Sequence, residues 1–99
     1  MSEHHPLEPK AQAKAQKDRQ VRTELANKSE ASDIEWLMSS SRGRRIVWRQ
    51  LERAGVFRTS FNTNSMAMAF AEGAKNEGLR LLSMLPPESY VLMLKEAKE

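Results

Sequence analysis

Large apolar residues are concentrated in the last two thirds of the chain, and their spacing there is helical. Between Ile34 and Leu94 they recur three and four positions apart, as on the buried side of an amphipathic helix. No segment alternates apolar and polar positions in the manner of a strand. The pattern predicts an all-α protein. It would consist of a small compact domain of about four helices over residues 31–99, preceded by a polar N-terminal extension over residues 1–30.

The N-terminal extension has little to bury. We expect Met1–Pro9, which contains two prolines, to be disordered. The following segment, Lys10–Ser29, is rich in Ala, Gln, Lys and Arg and contains no glycine or proline, so it favours a helix. Its sizeable apolar residues, Val21 and Leu25, lie four apart on one face. Such a segment is either a solvated helix or a fluctuating one.

Capping residues predict the first two helices of the domain. Ser32 or Asp33 is suited to cap a short helix, Ile34–Met38. A second helix is expected over Arg42–Ala54, with Gly55 as its natural stop. Its apolar stripe consists of Val47, Leu51 and Ala54, widened by Ile46.

The remaining elements are a connector and two helices. Two aromatic residues, Phe57 and Phe61, are predicted to anchor the connector Val56–Phe61. A long helix then runs over about Ser65–Met84, begun by one of the possible N-caps in Asn62–Ser65. Its predicted apolar face comprises Met66, Phe70, Gly73, Ala74, Leu81, Leu82 and Leu85. Alternatively, part of this face extends onto a partner through Met66, Met68 and Phe70, since methionine is common at adaptable interfaces.

Two glycines and a pair of prolines affect the stability and the bounds of the last two helices. Gly73 and Gly78 each cost about 1 kcal/mol relative to alanine inside a helix. Close approach of another helix would offset that cost, because each glycine follows an alanine four residues earlier. Pro86-Pro87 ends the long helix and begins the last one, about Pro87–Lys98. That helix is predicted to bury Tyr90, Val91 and Leu94, with Met93 to one side.

Composition narrows the class of protein. The chain has 99 residues, no cysteine and a net charge of +3. A core of this size is thin, and such domains often depend on partners or oligomers. The lack of cysteine excludes disulfides and thiolate metal sites. No apolar run approaches the roughly 18 residues of a membrane span, and no signal-like segment is present, so we expect a cytoplasmic protein without a membrane partner.

Positive charge is concentrated in residues 42–58, which carry six arginines and one acid, Glu52. Four of the arginines share one helical face: Arg42, Arg45, Arg49 and Arg53. Arg44 flanks them, with Trp48 four residues later on the same side. The like charges repel, and arginines near the start of a helix oppose its macrodipole. These unfavourable features indicate that something other than monomer stability selects the arginines.

Three interpretations of the arginines stay open. In the first, they form a solvated face that pairs with glutamates such as Glu35, Glu52, Glu72 and Glu77. In the second, they contact an acidic protein surface, since guanidinium groups bind carboxylates bidentately. In the third, they contact a nucleic-acid backbone, which the low net charge disfavours. An exposed Trp48 would stack on a base or fill a protein pocket. The candidate partner-binding or phosphate-binding residues are Arg42, Arg44, Arg45, Trp48, Arg49, Arg53, Phe57 and Arg58.

Catalytic and metal-binding patterns are missing from the sequence. The two histidines, His4 and His5, are adjacent in the polar N-terminal segment and cannot both face one ion from a rigid element. The predicted domain contains no histidine, and its Ser39–Ser41 run has no base beside it. We therefore expect a protein that is not an enzyme and that holds no metal or cofactor.

Several blocks of the sequence resemble a family of small tailed-bacteriophage proteins typified by a late-region product of a Bordetella phage. The resemblance covers about residues 33–96. The blocks that carry it are Asp33–Met38, Gly43-Arg44-Arg45 with Trp48-Arg49, Ala54–Phe61, Glu72-Gly73 and Asn76–Leu82. Membership would imply a gene in the virion-structure or packaging neighbourhood. It implies no catalytic residue.

The first functional hypothesis is a non-enzymatic phage protein associated with the virion or with its assembly. It would bind a larger structural protein, or line a DNA-containing compartment, through the arginine helix. It would be found in the host cytoplasm during infection and then in the virion. The alternatives are a nucleic-acid-binding accessory protein and a small protein that binds and inhibits a host enzyme. Homo-oligomerisation is also left open.

Overall fold

Four helices make up most of residues 8–99, the part of the chain that the computed structural model describes. They are α1 (Glu8–Met38), α2 (Ser41–Ala54), α3 (Ser65–Ser83) and α4 (Pro87–Ala97). No strand occurs in this part of the chain. The predicted all-α class is confirmed.

Helix α1 is continuous, so the prediction of a separate short helix over Ile34–Met38 is wrong. The predicted caps Ser32 and Asp33 lie inside α1. No glycine or proline interrupts the helix around them, and serine and aspartate cost well under about 1 kcal/mol each in a helix interior. Strong helix formers on the N-terminal side therefore carry the helix through the potential caps.

The start of α1 also departs from expectation. Glu8 and Pro9 were predicted to be disordered with the residues before them, yet both are helical. Proline is tolerated in a first helical turn, because its missing N–H would have no partner there. The rest of that prediction, residues 1–7, lies outside the described part of the chain.

The chain divides into two units, Met1–Ser32 and Asp33–Glu99. In the described part of the first unit, almost every side chain is exposed, including those of Val21 and Leu25. This segment is a polar helix without an apolar core of its own.

The second unit has a small core to which all four helices contribute. Its buried side chains are Met38, Val47, Leu51, Leu85 and Met93. Partly buried side chains surround them: Ile34, Leu37, Trp48, Val56, Leu81, Leu82 and Tyr90. Within this unit α2 packs against both α3 and α4, which fixes one side of α2 toward the core and leaves the other exposed.

Local capping sets the bounds of α2 and α3. The Ser40 hydroxyl accepts a hydrogen bond from the Gly43 amide at 3.1 Å, and Gly55 ends α2 with a φ of 77°. Asn64 caps α3 by accepting hydrogen bonds from the Met66 and Ala67 amides. The predicted stop at Gly55 and the predicted cap region before α3 are both confirmed.

The two glycines of α3 differ in their surroundings. A Cβ at Gly78 would lie 2.5 Å from Val56 Cγ2 and 2.7 Å from Ala54 Cβ, so the predicted close approach is confirmed there. At Gly73 nothing lies within 4 Å, and the same prediction is wrong. Helix α3 packs through its C-terminal half, where Leu81 and Leu82 lie, which leaves its first turns outside the core.

Two predicted apolar faces are therefore wrong in part. Met66 and Phe70, on the first turns of α3, are exposed rather than buried. On α4, Met93 is buried and Val91 is exposed, the reverse of the prediction. Side chains two positions apart on a helix point in nearly opposite directions. Because Met93 faces the core, Val91 faces away from it.

Candidate functional site

Helix α2 separates a core side from an arginine side. Val47 and Leu51 are buried, and the side chains on the other side are exposed. We call the exposed set the arginine row: Arg42, Arg45, Arg49 and Arg53. The spacing of three or four residues places them one above another along the helix.

None of the four guanidinium groups in the arginine row has a hydrogen bond or ion pair to any of residues 8–99. The glutamates predicted to pair with the row do not do so: Glu77, for example, lies 3.5 Å from Arg80 instead. Intramolecular pairing therefore does not neutralise the row. Its charges face solvent and remain open to an anionic partner.

Arg44 is placed differently from the arginine row. Its Nε and Nη2 donate to the two carboxylate oxygens of Glu96 on α4, at 2.6 and 3.0 Å. Its Nη1 donates to the carbonyl oxygen of Met38, the last residue of α1, at 2.9 Å. Both charged side chains are largely covered. The sequence placed Arg44 among the binding candidates, whereas the structure gives its guanidinium partners within the fold.

This contact shifts the titration of both groups. The hydrogen bonds from Arg44 lower the pKa of Glu96; partial burial opposes that effect, and the charges of Arg44 and Arg45 add to it. The hydrogen bonds to Glu96 raise the pKa of Arg44. The pair is therefore ionised throughout the neutral range.

Trp48 and Phe57 form a stacked pair at the edge of the core. Their ring centroids are 5.1 Å apart with an interplanar angle of 27°. Trp48 is half-buried and packs against the core, whereas Phe57 is exposed. The interpretation of Trp48 as a binding residue required an exposed ring, whereas the ring is half-buried. The pair anchors the connector to α2, as predicted for Phe57.

Arg58 holds the connector at the end of α2. Its Nη2 donates to the Glu52 carbonyl oxygen at 3.1 Å. Its own carbonyl oxygen accepts from the Lys75 ammonium at 3.0 Å. The connector is therefore tied to both α2 and α3, while the Arg58 side chain stays exposed.

An open groove of about 330 Å³ lies beside this connection. Arg53 and Arg58 line it together with Phe61, Phe70 and Ala74. Phe61 is 77% exposed and Phe70 is 82% exposed. The prediction that Phe61 anchors the connector is therefore wrong. The sequence indicated part of this surface, because Phe70 was among the residues that were expected, in one alternative, to extend onto a partner. No feature of the sequence indicated that Phe61 is exposed.

Residues 34–95 match the family model described as Bbp19-like phage protein. The chain belongs to this family. The predicted resemblance to a phage family is thus confirmed, and the match takes in all of α2, the connector and α3. No curated protein and no solved structure matches the chain.

Two further features of the described residues concern membranes and metals. No helix within residues 8–99 is both long enough and apolar enough to cross a membrane. Among the same residues, no three side chains of the metal-ligating types cluster in one place. The pair His4-His5 lies outside them.

Proposed function

We propose that this phage protein is a non-enzymatic component or assembly factor of the virion. It binds an acidic surface of a larger phage structural protein through the arginine row. The observation that carries the proposal is the row itself: four exposed guanidinium groups on one helix face, without a hydrogen bond or ion pair to any of residues 8–99.

The arginine row is suited to a carboxylate surface by its chemistry. Its first and last members are eleven residues apart, which is about 16 Å along an α-helix. Arg49 and Arg53 are like charges at i, i+4, which costs an isolated helix about 0.2–0.5 kcal/mol. Carboxylates of a partner would turn that repulsion into paired, charge-assisted hydrogen bonds.

The scaffold under the row favours binding without rearrangement. Helix α2 is capped at Ser40 and Gly55, its other side is in the core, and Arg44 ties it to α4. A helix held in this way presents its exposed side chains at fixed spacing. Less ordering entropy is then lost on binding than with a flexible segment.

The charge around the row favours a protein partner over DNA. Residues 33–99 contain ten basic and eight acidic residues, so positive charge is local rather than general. Duplex DNA carries one negative charge per about 1.7 Å of axis and attracts extended basic surfaces. A compact arginine row, in a domain with nearly equal numbers of basic and acidic residues, fits a defined acidic patch on a protein better than it fits duplex DNA. DNA phosphate remains the alternative partner.

Mass spectrometry of purified phage particles tests the proposal. The chain should be made in the host cytoplasm and then enter particles. Particles that are separated from free protein on a density gradient should therefore contain it. Consistent absence from particles and from assembly intermediates would contradict it. Tight binding to duplex DNA that weakens steeply with salt would instead support the alternative.

A further inference from the structure

The groove at the end of α2 combines exposed aromatic rings with positive charge. Phe61 and Phe70 are among the most exposed large apolar side chains of the described residues. Arg53 and Arg58 line the same groove, and no acidic side chain does. We call this surface the basic groove. Its complement is an aromatic side chain flanked by carboxylates.

Hydrogen bonds hold the connector wall of the basic groove in place. Arg58 bonds to the Glu52 carbonyl oxygen, and Lys75 bonds to the Arg58 carbonyl oxygen. The Phe61 amide donates to the Thr59 hydroxyl at 3.3 Å. The first two bonds hold Arg58 and the connector against α2 and α3, and the third orders the connector at Phe61.

The same unit carries a surface of the complementary kind. Trp36, near the end of α1, is 75% exposed. Asp33 and Glu35, three positions and one position before it, are exposed as well. Neither carboxylate has a hydrogen bond or ion pair to any described residue. We call Trp36 with these two carboxylates the acidic knob.

The acidic knob and the basic groove lie at opposite ends of α2. Trp36 shares a shallow surface pocket with Ser40, Arg42 and Gly43, at the start of that helix. The basic groove is lined by Arg53 and the residues that end it. Ten residues of helix, from Gly43 to Arg53, correspond to about 15 Å. The knob therefore does not fill the groove at the other end of α2 in its own chain.

We infer that the acidic knob of one copy docks into the basic groove of a second copy, head to tail. Trp36 would cover Phe61 and Phe70, and the two carboxylates would face Arg53 and Arg58. The complementarity is both of charge and of apolar surface, and each part is exposed in the single chain. A head-to-tail contact joins two different surfaces, so it continues into a ring or a chain of copies.

This contact goes beyond the proposed function and does not depend on it. Arg53 belongs to both surfaces, but Trp36 and Phe70 belong only to the contact between copies. Substitution of those two aromatic residues therefore tests self-association alone. Conversely, Arg45→Glu with Arg49→Glu should leave self-association unchanged.

Sedimentation velocity on the full chain, at protein concentrations up to about 1 mM, detects weak association between copies. The wild-type chain should associate beyond a dimer, and less so at high salt. Trp36→Ala removes the aromatic ring of the knob. Phe70→Glu places a negative charge in the groove, which repels the incoming carboxylates. Each should weaken association by roughly tenfold or more, as expected when a central aromatic contact is lost. Val91→Ala, at an exposed position on α4, is the matched control and should associate normally.

Mixing the two variants gives the decisive result. The Trp36→Ala copy keeps its groove and the Phe70→Glu copy keeps its knob, so an equimolar mixture should form a one-to-one dimer and stop there. Both positions are exposed, and circular dichroism should show unchanged helicity. Glu35→Lys provides a second knob variant that leaves the aromatic ring in place. A wild-type chain that stays monomeric throughout, or a mixture that behaves as two monomers, would overturn the inference.

Discussion

Arg44 on α2 and Glu96 on α4 are joined by two hydrogen bonds, at 2.6 and 3.0 Å. The third bond of the same guanidinium, to the Met38 carbonyl oxygen, adds the end of α1. One side chain thus connects α2, α4 and the end of α1. Its neighbours Arg42 and Arg45 are exposed and make no such bonds, so a single arginine-dense helix supplies both a structural contact and a candidate binding surface.

This pair predicts a pH-dependent contribution to stability. The pKa of Glu96 is lower in the folded chain than its ordinary value of 4.5, which applies to the unfolded chain. The pair therefore stabilises the fold fully above that value, and the contribution is lost as the pH falls through the lowered pKa. Glu96→Gln should reduce the free energy of unfolding at pH 7, and the difference from wild type should shrink in acid.

Urea unfolding at neutral pH and across the acidic range measures this effect. Glu99→Gln is the matched control, because it removes a carboxylate from the same end of the chain outside the pair. A Glu96→Gln variant that is as stable as wild type at pH 7 would show that the pair does not stabilise the fold.

The two glycines of α3 should respond to alanine in opposite directions. At Gly78 a Cβ would lie within 2.7 Å of two side-chain atoms, and overpacking of this kind costs about 1–3 kcal/mol. At Gly73 the space is open, so alanine should stabilise the helix by about 0.5–1 kcal/mol. Thermal unfolding of both variants gives the comparison. Equal shifts in one direction would mean that α3 does not approach α2 at Gly78.

The stacked pair Trp48–Phe57 should show a measurable coupling energy. Aromatic pairs in this geometry contribute about 0.5–1.5 kcal/mol beyond the area that they bury. Phe57→Leu and Trp48→Leu keep apolar side chains but remove the ring contact. In a double-mutant cycle of unfolding free energies, the interaction term should fall in that range. A term near zero would indicate that the ring contact does not help to hold the connector.

Local signals predicted much of the fold. The end of α2 could be predicted because Gly55 acts within a few residues of it. The same holds for the start of α3, where Asn64 caps its own helix. The continuity of α1 could not be predicted in this way, because Ser32 and Asp33 are good caps and also tolerable interior residues.

Long-range contacts account for what could not be predicted about the candidate site. The partner of Arg44 lies 52 residues away, so periodicity alone grouped this arginine with its neighbours. The exposure of Phe70 depends on which half of α3 packs against α2. The exposure of Phe61 depends on the path of the connector, which is set by the bonds of Arg58 and Lys75. None of these follows from spacing within one element.

Incorporation of a charge-reversed chain into phage particles tests the central claim most directly. Phage carrying Arg45→Glu with Arg49→Glu should yield particles strongly depleted of this chain, because the row would then repel an acidic surface. Lys95→Glu with Lys98→Glu changes the net charge equally at the C-terminal end of α4 and the residue that follows it, and should be incorporated like wild type. Equal incorporation of both variants would contradict the proposed role of the arginine row.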